Sequence, residues 1–175
     1  MRLSLVKTRT QGISLVEVVI IVALAMVAAA EVIPRVLGSR VAANEATAIS
    51  NVDVITYAQQ SYRATYPQLG YAGSLAALAL TCHHDCIPSP EHACLIDCNL
   101  PGASIRPKDG YLYSLSSGPG SRPHQTYVAG STASVPGYTG EHDFCAAEDG
   151  KVRSRPAAGA SNITRDQCLS WPVMP

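Results

Sequence analysis

Apolar and polar positions divide the chain into three regimes. From Ile13 to Ile33 the side chains are apolar except at Ser14, Glu17 and Glu31, and the thirteen residues Val18 to Ala30 carry no polar side chain. As a helix this 21-residue stretch would be about 32 Å long, near the hydrocarbon thickness of a bilayer. From Val41 to Tyr66 the pattern changes to an amphipathic one. Ala48, Val52, Ile55, Gln59, Tyr62 and Tyr66 recur at alternating steps of four and three, with Ile49 beside them. Such a stripe predicts one helical face laid on a sheet, with Glu45, Asn51, Asp53 and Arg63 on other faces. Pro67 and Gly70 predict the end of that helix near Tyr66. Pro34 lies between the two patterns and predicts a kink, to which Gly38 adds freedom.

Beyond Pro67 the segments are short. Ser74 is positioned to cap a brief helix up to Leu80. Tyr111 to Leu115, Gln125 to Ala129 and Glu141 to Ala146 read as strands. Asp149-Gly150 predicts a tight turn into Lys151-Val152-Arg153, and the tail from Ser154 reads as irregular. The expected fold class is α+β: a long kinked N-terminal helix, membrane anchor plus spine, packed on a small antiparallel sheet of three to four strands.

The N-terminal run has three readings. Ala28-Ala29-Ala30 satisfies the small-residue rule of an ordinary secretory signal, cut after Ala30. An uncut signal anchor is the second. Against both stands Glu17, because a carboxylate at membrane depth is costly and is usually retained for function. The third reading rests on a constellation. Arg2, Lys7 and Arg9 precede the run, Gly12 stands immediately before it, Glu17 is the fifth residue after that glycine, and Pro34 is the twenty-second. This resembles the N-terminus of type IV pilins and type II secretion pseudopilins.

The resemblance continues more loosely through Tyr66-Pro67, Gly70-Tyr71, Ser74 to Leu78, Gly110-Tyr111 and Phe144-Cys145 to Arg153. Ile13 departs from it, since the family usually has phenylalanine there. The resemblance implies a pilin-like fold and cleavage after Gly12 by a prepilin peptidase, with methylation of the new N-terminus at Ile13. It further implies storage in the inner membrane, N-terminus cytoplasmic, before assembly with identical or related subunits by the pilus machinery. The product would be an extracellular or periplasmic filament. It also implies that the region of Pro34 unwinds in filaments.

Glu17 has a physical role in that scheme. Cleavage after Gly12 creates an ammonium at Ile13, four residues before Glu17. In a staggered array the ammonium of an incoming subunit neutralises Glu17 of its neighbour, which removes the penalty of an isolated charge in lipid.

Composition narrows the alternatives. Thirteen basic and thirteen acidic residues give a formal charge of zero, and loss of Arg2, Lys7 and Arg9 would leave −3. Nothing in this balance indicates wholesale binding of nucleic acid. Six cysteines all follow the apolar run, which points to an oxidising compartment and disulfides. Cys82 and Cys86, then Cys94 and Cys98, form two C-x3-C pairs. If each pair shares a helical face, two facing turns permit nested bridges, Cys86 with Cys94 and Cys82 with Cys98, across a bend at Pro88-Ser89-Pro90. Four cysteines allow three pairings, and the choice stays open. A zinc site from these thiolates with His83, His84 and His92 is the competing reading, although the spacing is not a familiar zinc pattern. A Cys145–Cys168 bridge would staple the tail, and the resemblance adds that many pilins carry such a C-terminal loop.

Enzyme motifs are lacking: the sequence has no phosphate loop, Gly-x-Ser-x-Gly or His-Glu-x-x-His. His124 and His142 read as solvated. Asp85, Asp97, Asp143 and Asp149 do not match a calcium loop. No catalytic residue, cofactor or metal is expected. The predicted organisation is a leader at 1–12, a transmembrane and assembly helix at 13–34, a spine at 35–66, a Cys-rich connection at 67–110, and a sheet with a C-terminal disulfide loop at 111–175. The expected function is that of a structural filament subunit. A minor pilin or pseudopilin that primes or tips the filament, and a secreted disulfide-rich binding protein cut after Ala30, are the alternatives.

Overall fold

A computed structural model describes residues 14–81, 86–118, 120, 122–159 and 162–175, the side chains of 29–35 excepted. The chain forms two compact units, 1–38 and 39–175. Its class is α+β, with one four-stranded antiparallel sheet in the order β1-β2-β3-β4. The helices are α1 (Leu15–Thr65), α2 (Leu75–Leu78) and α3 (Arg165–Ser170), with a 3-10 turn at Pro101–Ser104. The strands are β1 (Tyr111–Ser117), β2 (Tyr127–Ala133), β3 (His142–Ala147) and β4 (Arg153–Pro156).

In the first unit the described residues from Leu15 onward are helical, and every described side chain from Ser14 to Ala28 is exposed. The helical assignment runs unbroken through Pro34. Among the described residues no helix is long and apolar enough to cross a membrane. Taken whole, α1 is not an apolar helix, because from Ser39 onward it becomes the amphipathic spine.

In the second unit the stripe at steps of four and three is the buried face of α1: Ala48, Val52, Ile55, Gln59 and Tyr62 are all buried. Gln59 is accommodated because its side chain closes a complete pair with Ala72, donating to the carbonyl at 2.9 Å and accepting from the amide at 2.8 Å. Left unpaired, that amide would cost about 1–3 kcal/mol. The helix ends before Pro67, and the chain turns back through Gly70 at φ +76°. A Cβ at Gly70 would lie 2.1 Å from the backbone oxygen of His124, so both the turn and the close approach require glycine.

One face of the sheet presents Tyr111, Tyr113, Tyr127, Ala129, Phe144 and Ala146 to the spine in a single apolar core. The other face carries Val128 and Cys145 against Ile163, Cys168 and Trp171. Consequently β2 is buried along its whole length.

Three expectations are corrected. The second strand occupies 127–133 rather than 125–129, and its small residues explain the error. Ala129-Gly130-Ser131 has no hydrophobic alternation to read, yet smallness is what a strand covered on both faces needs. A Cβ on Gly130 would sit 2.8 Å from Ile163 Cδ1 and 3.0 Å from Ser114 Oγ. The tail is not irregular: it forms β4 and then α3, which begins with a reciprocal capping box between Thr164 and Gln167. Finally, Cys94 to Cys98 is not a helical turn. Cys94 is left-handed at φ 60°, and the segment runs as an extended partner of α2's exit, with Leu80 N donating to Ile96 O and Leu95 N to Leu78 O.

Candidate functional site

The residues singled out for processing and assembly meet the structure unevenly. Gly12 and Ile13 lie outside the described residues, as does the side chain of Pro34. Glu17 is an acidic residue in the first turn of α1, where a carboxylate is favoured by the helix dipole. It is exposed. Its neighbours Val16, Val18, Val19, Ile20 and Ile21 are exposed as well, and Leu15 and Leu24 reach 80% and 66%. Glu17 is thus the one ionisable side chain along an open apolar helix surface from 14 to 28. An apolar surface of this kind in water is normally covered by lipid or by another protein.

The described cysteines are oxidised. Cys86 bonds to Cys94, and Cys145 to Cys168. Cys98 is disulfide-bonded too, while Cys82 lies outside the described residues, together with His83, His84 and Asp85. Between Cys86 and Cys94 the chain makes a tight turn in which Ser89 and His92 exchange backbone hydrogen bonds at 3.0 and 3.1 Å. Tyr62 on the spine donates to Pro90 O at 2.9 Å and pins that turn. The Cys145–Cys168 bridge joins β3 to α3 and holds Ile163 and Trp171 on the sheet's outer face.

The candidate acids have structural partners. Asp97 accepts from Asn99 N at 3.0 Å, and this bond, with Lys108 nearby, holds its carboxyl below the usual range. Asp143 is fully buried; it accepts from Ala133 N at 3.0 Å and from Ala158 N at 3.2 Å, and pairs with Arg155 at 3.3 Å. Asp149 pairs with Arg153, which lowers the carboxyl and raises the guanidinium. Burial drives Glu148 upward, but bonding to Arg165 outweighs it and leaves the carboxyl lowered. Among the described residues no cluster of His, Cys, Asp or Glu is arranged to hold a metal ion.

Neither histidine read as solvated is fully so. His124 Nδ1 is buried without a hydrogen-bond partner. His142 opens β3 and faces Glu45 of the spine, Nδ1 to Oε1 at 3.2 Å. Asn44 and Glu45 were not legible as functional positions in the sequence. Asn44 Nδ2 donates to Thr139 O at 3.0 Å, and Glu45 Oε1 accepts from Glu141 N at 2.7 Å and His142 N at 2.9 Å. Together they fasten the β2–β3 loop to α1. Contacts spanning more than ninety residues leave no local signal.

No family model, curated protein or solved structure matches the chain.

Proposed function

We propose that this chain is a structural subunit of a type IV pilus or type II secretion pseudopilus. In this reading it is made as a precursor, cleaved after Gly12 by a prepilin peptidase and methylated at Ile13. The helix from Ile13 then rests in the inner membrane, and subunits polymerise by pairing the Ile13 ammonium of one with Glu17 of the next. The spine and disulfide-bonded sheet domain become the filament's exposed part.

The observation that carries the reading is the surface around Glu17. A lone carboxylate in the first turn of a helix gains a little from the helix dipole in a monomer, but that gain does not explain the open aliphatic side chains around it. A bundle of such helices accounts for both, because a partner ammonium balances the carboxylate and the aliphatic side chains pack together. The Gly12–Glu17 spacing and the basic leader support the same conclusion, as does the α+β domain with α1 as its spine. Oxidised cysteines support an export compartment.

N-terminal sequencing with intact mass measurement of the mature protein tests it. The expected product begins at Ile13 and is one methyl group heavier than the bare chain. A product beginning at Glu31 would overturn the reading, because Glu17 would be discarded with the leader.

A further inference from the structure

The β2–β3 loop carries an exposed apolar tip that the filament reading leaves unused. Val135 is 50% exposed and Tyr138 73% exposed, with Pro136 and Gly137 open between them. No Asp, Glu, Lys or Arg occurs from Pro123 to Gly140.

The tip is built rather than loose. Tyr138 N and Thr139 N both donate to Val135 O, at 3.0 and 2.9 Å. Val135 N donates to Thr139 Oγ1 at 3.0 Å. At its base the loop is fastened to the spine by Asn44 and Glu45, and the ring of Tyr111 occupies the space a Cβ on Gly140 would need. Those spine residues are the sixth and seventh after Gly38, where the second unit begins to follow the apolar segment. Arg40, one helical turn before Asn44, is exposed.

We infer that this loop is a membrane-interface contact: in the unassembled subunit Tyr138 and Val135 enter the head-group layer of the bilayer while Arg40 meets lipid phosphate. Tyrosine, with an apolar ring and a polar tip, suits that layer, and arginine beside it suits anionic head groups. An uncharged tip enters without the cost that a carboxylate or ammonium would bring. The tether to Asn44 and Glu45 ties the loop to the stretch of spine that follows the anchor in sequence. The inference rests on the proposed membrane anchoring of residues 13–34. It adds that the folded domain itself is docked on lipid before extraction into a filament.

Two tryptophan reporters in the full-length chain test it. Tyr138→Trp and Leu24→Trp are each reconstituted in phosphatidylethanolamine–phosphatidylglycerol vesicles containing phosphatidylcholine brominated near the head-group end or near the methyl end of its acyl chains. The parent protein, whose single tryptophan is Trp171, gives the background to subtract. The expected result is that Tyr138→Trp loses more emission to the shallow bromines and Leu24→Trp more to the deep ones. Quenching of Leu24→Trp with none at Tyr138→Trp overturns the loop contact alone. If that unquenched emission is also blue-shifted, the tip is covered by a second protein chain instead. Absence of quenching at both positions overturns the anchoring reading, and this inference with it.

Discussion

Glu45 and His142 meet at one oxygen. Glu45 Oε1 accepts from the amides of Glu141 and His142 and lies 3.2 Å from the imidazole Nδ1. A single spine carboxylate therefore ends the β2–β3 loop and starts β3, while the Tyr111 hydroxyl of β1, two strands away in the sheet, donates to His142 O at 2.7 Å. Glu45→Ala leaves two amides without this acceptor and is expected to lower stability by about 2 kcal/mol. Glu45→Gln keeps an oxygen for both amides and is expected to lose less than half as much. Urea denaturation of the full chain in detergent, following Trp171 fluorescence, reads both. Equal losses would mean that the carboxylate charge, rather than its acceptor geometry, holds the loop.

Folding stability is expected to fall on acidification, and two of the lowered carboxyls, each paired with an arginine, illustrate the window. Asp149 is held below its ordinary value of 3.8 by Arg153. Glu148 is held below 4.5 because Arg165 outweighs burial. A carboxyl whose folded value is lowered takes up protons more readily in the unfolded chain. Its contribution is complete above the ordinary value and is lost as pH falls through the folded one. Arg153 and Arg165, both raised, stay protonated throughout and add no slope. The contribution of these carboxyls to the melting temperature is thus expected to decline as pH falls below about 4.5. Asp149→Asn should lower the melting temperature above that range and flatten the decline. An unchanged slope in that variant would remove Asp149 from the account.

What the sequence disclosed and what it concealed divide along physical lines. The spine was legible because six side chains share one face at helical spacing and a proline ends the run. β1 was legible through Tyr111, Tyr113 and Leu115 at alternate positions, and β3 through the Asp149-Gly150 turn that follows it. The centre of the sheet was not: Gly130 and Ser131 are chosen for close approach, and a strand buried on both faces shows no alternation. α3 was overlooked because six residues give too short a period, although Thr164 and Gln167 are a readable capping box. At the candidate site, Glu17 stood out because a charge in an apolar run violates a local rule. Asn44 and Glu45 violate none, and their partners lie 95 to 97 residues away.

The Cys145–Cys168 bridge should matter more than its peripheral position suggests. It spans 23 residues, a loop whose closure stabilises by about 3 kcal/mol, and it fixes α3 over the sheet's outer face, where Ile163, Cys168 and Trp171 cluster with Val128 and Cys145. Arg155 stacks on Trp171 at 4.5 Å, so release of α3 would expose that ring. The Cys145→Ser/Cys168→Ser double variant is expected to lose about 3 kcal/mol and to shift Trp171 emission to the red, even where the spine and sheet stay folded. Red-shifted emission without loss of stability would separate tail docking from domain stability. An unshifted emission would show that Ile163 and the capping box hold α3 unaided.

Glu17 offers the sharpest test of assembly, because the filament reading makes it indispensable at one step and dispensable at the others. In that reading peptidase recognition depends on the glycine and the leader, so Glu17→Ala is expected to be cleaved after Gly12 at close to the parental rate. Membrane residence should improve slightly, since the variant removes a costly charge from an apolar helix. Incorporation into filaments should fall by at least about tenfold, equivalent to about 1.4 kcal/mol per added subunit, because the incoming Ile13 ammonium would find no counter-charge and would itself be stranded. Glu17→Asp keeps the charge on a shorter arm and should recover part of the loss, which a packing defect would not allow. The measurement is the ratio of variant to parent in sheared filaments from cells expressing both, with cleavage followed by mass. Full incorporation of Glu17→Ala would mean that the carboxylate is not the docking group, whatever the N-terminus of the mature chain proves to be.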